Sequence, residues 1–180
     1  NCKIYRGDLN NVYKRFLNFS KKLNDDDIVV RVTGDNIFVD HNLINEVVNY
    51  FKKNNYNYTG IDRKKSKLPY GISVEVFNLR TFRKWNAISN YEEEHVTPRI
   101  LKFEKNIGFF QKKNLKNFYN LSCTMDTIFD YHKIKLCFEK SKSIKTNYVD
   151  LCNILKNIKK REINNKNEKY SKIIIGTAQF

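Results

Sequence analysis

Apolar and polar residues follow two different periods along this chain, and the two periods alternate. Apolar positions recur at helical spacing in six segments, which predicts helices at about 8–23, 42–53, 79–88, 91–103, 128–139 and 148–159. Short apolar runs between turn residues predict strands at about 2–5, 28–33, 56–60, 72–77 and 172–175, with an antiparallel pair around 107–111 and 115–125. Strands that alternate with helices predict an α/β fold class, a three-layer sandwich with a mostly parallel sheet.

Two of the predicted strands end in an aspartate. The segment 29–40 reads VVRVTGDNIFVD and leaves Asp35 at the end of its apolar run, and 120–126 reads NLSCTMD and leaves Asp126. Ligands of open α/β sheets bind outside the carboxyl ends of the strands, so two such carboxylates could share one magnesium ion. Each signal alone is weak, because Gly-Asp is also a common turn and Asp126-Thr127 is also an ordinary helix cap.

Composition and charge limit the class of protein. The chain has 180 residues, 41% of them hydrophobic, which is enough for one domain with a real core. It lacks an apolar run of about 18 residues, so we expect no membrane partner and a cytoplasmic location. The formal net charge of +15 suggests nucleic acid, but the basic residues are spread along the predicted helices rather than forming one stripe. We therefore predict no nucleic-acid partner.

Cysteines and the two chain ends give further expectations. Cys2, Cys123, Cys137 and Cys152 lack metal-site spacing and have apolar neighbours, which predicts reduced, buried thiols.

An apolar strand-like run lies close to each end, so we expect the chain to be an interior piece of a longer protein. Charged and amide residues at 158–170 predict a linker between a first domain, 1–157, and the start of a second, 171–180.

Four motifs, in this order, carry a family resemblance. They read YRGD at 5–8, RVTGD at 31–35, PYGISVEVF at 69–77 with EHVTP at 94–98, and TMDT at 124–127 followed by Asp130. Together they resemble the cytidylyltransferases that make CMP-activated acidic sugars, especially the branch named after spore-coat polysaccharide synthesis. The last residues, KIIIGTAQF at 172–180, resemble the opening strand of aldo/keto reductases, which suggests a fused parent protein.

The resemblance implies a fold like that of the nucleotide-diphospho-sugar transferases, and a reaction that moves CMP from CTP to an acidic sugar. It implies that Asp35 and Asp126 bind Mg²⁺. Arg31 is a candidate for contact with phosphate or with the sugar carboxylate, or it pairs with Glu75. Thr33 and Gly34 are candidates for main-chain contact with the nucleotide, or they form a plain turn.

Glu75 and His95 are two further candidates. Glu75 binds the sugar, orients an arginine, or lies on the solvent face of its strand. His95 is interpreted as a helix-start residue with a structural role in the acceptor pocket or in a homodimer contact. The family begins with a phosphate-binding loop that nothing before Asn1 supplies, so we expect the 180-residue piece to be inactive alone.

Departures from the family motifs support a second hypothesis. Ser73 stands where an aspartate is usual, Ser122-Cys123 where arginine and tryptophan are common, and Ile128-Phe129 where proline and glutamate follow the last block. These changes favour a catalytically silent module that keeps the fold for binding or dimerisation.

Overall fold

The computed structural model describes residues 4–141, 143 and 146–158. Its helices are α1 (Val12–Phe19), α2 (His41–Lys53), α3 (Arg63–Ser66), α4 (Leu79–Lys84), α5 (Asn90–His95), α6 (Pro98–Phe103), α7 (Ile128–Ser141) and α8 (Tyr148–Asn157), with a 3₁₀ turn at Ser20–Lys22. Its strands are β1 (Ile28–Arg31), β2 (Tyr58–Ile61), β3 (Glu75–Asn78) and β4 (Ile107–Phe110). The α/β class is confirmed. The predictions at 2–3, 159–170 and 171–180, including Cys2, lie outside the described residues.

The chain forms two compact units, each built from separate segments. Of the described residues, the first unit contains 4–31, 45–60 and 75–110, and the second contains 32–44, 61–74 and those between 111 and 158. Both units are therefore discontinuous in sequence.

The sheet of the first unit has the strand order β1-β3-β2-β4. β3 pairs antiparallel with β1, from Ile28 opposite Asn78 to Arg31 opposite Glu75, and antiparallel with β2. The expected mostly parallel pairing is therefore wrong for these strands. β1 and β2 run in the same direction, and a helix, α2, connects them along the chain. β3 lies between them in the sheet and runs the opposite way.

Aromatic residues form the core of the first unit. The Phe82 ring packs against those of Tyr13 and Phe77, with ring centroids 4.7 Å apart for Tyr13 and Phe82 and 5.5 Å apart for Phe77 and Phe82. The same cluster contains Tyr58, Leu79, Val96 and Ile100. α1 packs its apolar face on this cluster through Val12, Phe16 and Leu17, as its helical periodicity predicts.

The second unit buries the faces of α7 and α8 together with residues from its connecting segments. Its core includes Phe38, Leu43, Leu68, Phe118, Ile134, Leu151 and Leu155. Cys123, Cys137 and Cys152 are buried free thiols, which confirms the prediction for these three. Burial raises the pKa of Cys123 and of Cys137 to about 12, so both stay protonated at neutral pH.

Two predicted elements differ from the structure. The segment 115–125 forms only isolated bridges, because it bonds to the segment 67–71. The Phe118 N–H donates to the Lys67 carbonyl at 2.9 Å, and the Tyr70 N–H donates to the Leu121 carbonyl at 2.9 Å. The single helix predicted at 91–103 is divided into α5 and α6. Among the described residues, no helix combines the length and apolar character needed to cross a bilayer.

Candidate functional site

Asp35 lies in a turn that follows β1. The Asn36 N–H donates to the Thr33 carbonyl at 3.1 Å, which closes the turn around Gly34 and Asp35. Gly34 is exposed, and a Cβ atom at this position would meet nothing within 4 Å. The main chain at Thr33-Gly34 is therefore open to a ligand, and packing alone does not require a glycine there.

The segment that ends in Asp126 lies directly against this turn. The Met125 N–H donates to the Asp35 carbonyl at 3.2 Å, and Asn36 and Thr124 form an antiparallel bridge. Asp126 is the next residue and is exposed, while Asp35 is half-buried. The structure thus brings the two aspartate-bearing segments together within the second unit.

Gly71 makes room for the 120–126 segment. Its φ is +91°, and a Cβ atom there would lie 2.5 Å from the Thr124 nitrogen and 2.8 Å from the Cys123 carbonyl carbon. Tyr70 forms a parallel bridge with Ser122, and the Cys123 N–H donates to the Tyr70 carbonyl at 2.8 Å. Sequence reasoning quoted Gly71 as part of a motif without assigning it a role, although a glycine between a strand and a proline-containing turn is a signal for close backbone approach.

Asp35 and Asp126 differ from every other aspartate in the chain. All ten aspartates lie in the described part of the chain, and the carboxylates of these two accept no hydrogen bond and form no ion pair with a residue described there. The others are all engaged: Asp8, Asp25, Asp26, Asp27, Asp40, Asp62, Asp130 and Asp150. Asp40, for example, accepts from the Leu43 N–H at 2.9 Å and from the Tyr148 N–H at 3.0 Å.

This pair fits the donor set that Mg²⁺ uses with nucleotides. Mg²⁺ is commonly held by one or two carboxylates while substrate phosphates and water complete its octahedron. No group of three or more His, Cys, Asp or Glu side chains is placed to hold a metal within residues 4–141, 143 and 146–158. Asp35 and Asp126 supply two carboxylates, the number with which proteins commonly hold a Mg²⁺ ion beside substrate phosphates.

Arg31 and Glu75 meet in the first unit. They stand opposite each other in the β1–β3 ladder and form an ion pair. Glu75 also accepts hydrogen bonds from the Tyr58 hydroxyl at 2.7 Å and from Thr97 Oγ1 at 2.6 Å. Glu75 is 9% exposed, so its placement on a solvent face is wrong. Burial, followed by the Glu75 charge, raises the pKa of Tyr58 well above its ordinary value.

A strained turn presents Thr97 to Glu75. Val96 has φ +71° and ψ −50°, and the Thr97 N–H donates to the His95 carbonyl at 2.8 Å, which together define a γ-turn with a positive central φ. This turn is costly for a β-branched residue, and here it separates α5 from α6. His95 is the last residue of α5 rather than a helix-start residue, and its exposed ring lies 4.3 Å from that of Tyr91.

Comparisons with known proteins identify the family of this chain. The sequence profile of the cytidylyltransferase family matches residues 1–172. The chain is 33% identical to the uncharacterised protein MJ1063 of Methanocaldococcus jannaschii over 84% of this chain and 61% of that protein. It is 27% identical to the spore coat polysaccharide biosynthesis protein SpsF of Bacillus subtilis over 77% of this chain and 58% of SpsF.

A solved structure shares the fold. The structure of a cytidylyltransferase from Leptospira borgpetersenii superposes with a TM-score of 0.74 at 28% identity, over 93% of this chain and 70% of that one. The chain spans about three fifths of the length of the two curated relatives, at 61% and 58%. Because the family profile extends from residue 1 to residue 172, this chain belongs to the cytidylyltransferase family.

Proposed function

We propose that the full-length protein containing this chain transfers CMP from CTP to a hydroxyl of an acidic sugar, in the synthesis of a surface polysaccharide. The family supports nucleotidyl transfer from CTP, and the name of the relative SpsF supports the polysaccharide setting. The observation that carries the proposal is the pair of uncommitted carboxylates, Asp35 and Asp126, on segments joined by the Met125–Asp35 hydrogen bond.

Asp35 and Asp126 hold Mg²⁺ in this proposal. When bound, the ion neutralises the negative charge of the phosphates and of the group being transferred. The turn at Thr33–Asn36 fixes the main chain of Asp35, and the Asn36–Thr124 bridge fixes the segment that carries Asp126. The main chain at both aspartates is thus held by backbone hydrogen bonds, which limits the reorganisation of the main chain needed when substrate binds.

The main chain of Thr33-Gly34 completes the nucleotide side of the site. It contacts the nucleotide, because no side chain covers it. Arg31, in the first unit, is a separate candidate for phosphate contact, since a guanidinium carries five N–H groups and the ion pair with Glu75 leaves some of them free. Glu75 acts through Arg31 as a positioning residue, and the hydrogen bonds from Tyr58 and Thr97 fix its carboxylate.

The test is turnover and metal binding in the full-length protein with Asp35→Asn or Asp126→Asn. Each change should lower the rate of pyrophosphate release by roughly 100-fold or more, because it removes preorganised charge around the phosphates. Each should also weaken the Mg²⁺-dependent binding of CTP measured by isothermal titration. Wild-type turnover in the Asp35→Asn protein refutes the assignment.

Asp26→Asn is the matched control. This aspartate is exposed and pairs only with Arg80 in the described structure, with Oδ1 2.8 Å from the arginine Nη2. Its replacement should leave the turnover and the titration unchanged, because surface ion pairs contribute little.

One observation favours the alternative of a catalytically silent binding module. Ile128 and Phe129 at the start of α7 are 45% and 66% exposed, directly after the Asp126-Thr127 block. Exposed apolar residues at this place suit a docking or dimerisation surface. Isothermal titration with CTP and Mg²⁺ separates the hypotheses, since a silent module gives no metal-dependent heat.

A further inference from the structure

Asp40 joins the starts of two helices through one carboxylate. Its Oδ1 accepts from the Leu43 N–H at 2.9 Å in the first turn of α2, and its Oδ2 accepts from the Tyr148 N–H at 3.0 Å at the first residue of α8. Backbone donors in the first turn of a helix lack an intrahelical partner. The carboxylate is half-buried, and its negative charge lies at the positive ends of both helices. One side chain thus ties together residues that are 108 positions apart.

Asp40 belongs to the same loop as Asp35. It follows Asp35 by five positions. Phe38, between them, is 1% exposed, and its ring is perpendicular to that of Phe138 on α7, with the centroids 6.0 Å apart. Asp40 then attaches the far end of the loop to α8. The loop that carries Asp35 is therefore fastened to both of the helices that follow Asp126 in the chain.

A second route of contacts leads from Asp126 to the same carboxylate. α7 begins two residues after Asp126, and α8 packs against α7. The Tyr148 N–H then joins α8 to Asp40. With the backbone hydrogen bond that joins the two aspartate segments, this route closes a ring of contacts within the second unit. The relative placement of the two segments thus depends on Asp40 as well as on their direct bond.

The placement of the two segments matters because Mg²⁺ is selective about geometry. It requires near-octahedral coordination with metal–oxygen distances of about 2.0–2.1 Å, so a pair of carboxylates serves it only over a narrow range of separations. Groups that orient metal ligands without touching the ion commonly change metal affinity by about 10- to 100-fold when they are replaced. Loss of the Asp40 anchor should therefore weaken the ion site.

We propose that Asp40 is a positioning residue, which caps α2 and α8 at once and thereby sets the spacing of Asp35 and Asp126 that Mg²⁺ needs. This inference rests on the proposed function, because it concerns the ion site of the same reaction. Asp40 itself contacts neither the ion nor the substrate in this role, since both of its oxygens accept from backbone N–H groups.

The experiment measures the Mg²⁺ dependence of the full-length protein with Asp40→Asn or Asp40→Ser. Asparagine and serine are both strong N-caps, so each variant still caps the first turn of α2. Neither supplies a second acceptor oxygen for the Tyr148 N–H. Isothermal titration with a non-hydrolysable CTP analogue at a series of Mg²⁺ concentrations gives the ion concentration for half-maximal binding. Pyrophosphate release gives the rates.

Each variant should raise the Mg²⁺ concentration for half-maximal binding of the analogue by about 10-fold. Excess Mg²⁺ should restore kcat to within about threefold of the wild type, because both ion ligands are still present. A loss of folded protein alone lowers the amount of active enzyme without changing this ion concentration. Asp40→Ser carries the test if Asp40→Asn fails to fold.

Asn147→Ala is the matched control. Asn147 is exposed and caps α8 by itself, with its Oδ1 3.0 Å from the Asp150 nitrogen. Its replacement should lower the urea midpoint as the Asp40 variants do, because a helix cap is lost. It leaves the bond between Asp40 and Tyr148 in place, so the Mg²⁺ requirement should stay within about twofold of the wild type.

The outcomes separate this inference from the proposed function. If a folded Asp40 variant keeps the wild-type Mg²⁺ dependence, or if Asn147→Ala raises the Mg²⁺ requirement equally, the positioning role is overturned and CMP transfer stands. If excess Mg²⁺ fails to restore kcat, Asp40 does not act through the spacing of the aspartates, and the inference is overturned as well. If the wild type shows neither Mg²⁺-dependent binding of the analogue nor turnover of CTP, the proposed function fails and this inference fails with it.

Discussion

Gly71 is the residue on which the placement of the 120–126 segment depends most directly. Its φ of +91° is costly for any residue with a Cβ, and that atom would lie 2.5 Å from the Thr124 nitrogen. Gly71→Ala should therefore lower the free energy of unfolding by at least about 2 kcal/mol, because the strain and the backbone clash add. Urea denaturation measures this change.

Gly34→Ala is the matched control for Gly71→Ala. A Cβ at Gly34 meets nothing within 4 Å, so the stability should stay within about 0.5 kcal/mol of the wild type. Equal losses for the two variants would contradict the view that Gly71, and not Gly34, is required for packing.

The buried carboxylate of Glu75 is stabilised by two hydroxyl donors. Thr97→Val and Tyr58→Phe each remove one hydroxyl donor from Glu75 and should each lower the free energy of unfolding by about 1–3 kcal/mol. Thr59→Val is the control, because Thr59 Oγ1 is buried on β2 with no hydrogen-bond partner among the described residues. Thermal or urea unfolding should show Thr59→Val to be neutral or stabilising, and a loss equal to that of Thr97→Val contradicts the network.

Motif order singled out Asp35 and Asp126 as candidates, whereas for Glu75 the sequence left three interpretations open, of which the one on the solvent face is wrong. Val74 and Val76 on either side of it are apolar, so alternation along the strand predicts an outward-facing glutamate. β3 lies between β1 and β2 in the sheet, however, and Val76 and Phe77 are buried along with Glu75. The position of a strand within its sheet depends on long-range pairing, which a single alternating run does not encode.

At the scale of elements, Glu104 ties the end of α6 to the residues after α4 and before β2. Its carboxylate accepts from Trp85 Nε1 at 3.0 Å, from Asn57 Nδ2 at 3.2 Å and from the Asn106 N–H at 3.2 Å. Burial raises the pKa of Glu104, but the hydrogen bonds from Trp85, Asn106 and Asn57 and the charge of Lys84 outweigh it and lower the pKa from 4.5 to about 2. The ionised carboxylate thus stabilises the fold.

Glu104→Gln should lower the free energy of unfolding by about 1–3 kcal/mol at pH 7. The pKa is lower in the folded state than in the unfolded state, so the contribution is present above pH 4.5 and is lost as the pH falls toward 2. Urea unfolding at several pH values should show the two proteins converging over this range. A difference in the free energy of unfolding that stays constant with pH contradicts the assignment. The control is Glu93→Gln, because the Glu93 carboxylate has no partner among the described residues.

The division of the predicted helix at 91–103 shows what periodicity leaves out. Apolar spacing continues through the segment, since Val96 and Ile100 are both buried in the core of the first unit. The break comes from the γ-turn at Val96. At this turn the Thr97 hydroxyl donates a hydrogen bond to the Glu75 carboxylate. Pro98 at the first position of α6 is the local signal that a new helix starts there.

For the whole molecule, the family followed from motif order and the α/β class from the alternation of strands and helices, while the division into two units followed from neither. Each unit combines three separate stretches of chain, for example 32–44, 61–74 and the described residues from 111 to 158 in the second. Composition and periodicity describe neighbours in sequence, and they carry no information on which distant stretches share a core. The position of Gly71 against Thr124 is one such distant contact.

The net charge of +15 gives the last prediction, which concerns nucleic acid. The excess comes from 34 Lys and Arg against 19 Asp and Glu. Several of the cations are already paired, including Arg31 with Glu75, Arg83 with Asp25 and Lys133 with Asp130. Duplex affinity depends on how many phosphates are contacted at once, because each contact releases a counterion and steepens the dependence on salt.

Because the charges are dispersed and partly paired, we expect binding of unrelated duplex DNA with a Kd weaker than about 10 µM at 0.15 M salt. The slope of log K against log salt should be shallower than about −3, corresponding to about three phosphate contacts or fewer. Fluorescence anisotropy with a labelled duplex measures both quantities, and added CTP tests whether any residual binding uses the Asp35–Asp126 site. Sub-micromolar affinity with a slope near −6 that CTP does not affect contradicts this expectation, since it requires a continuous basic surface separate from the nucleotide site.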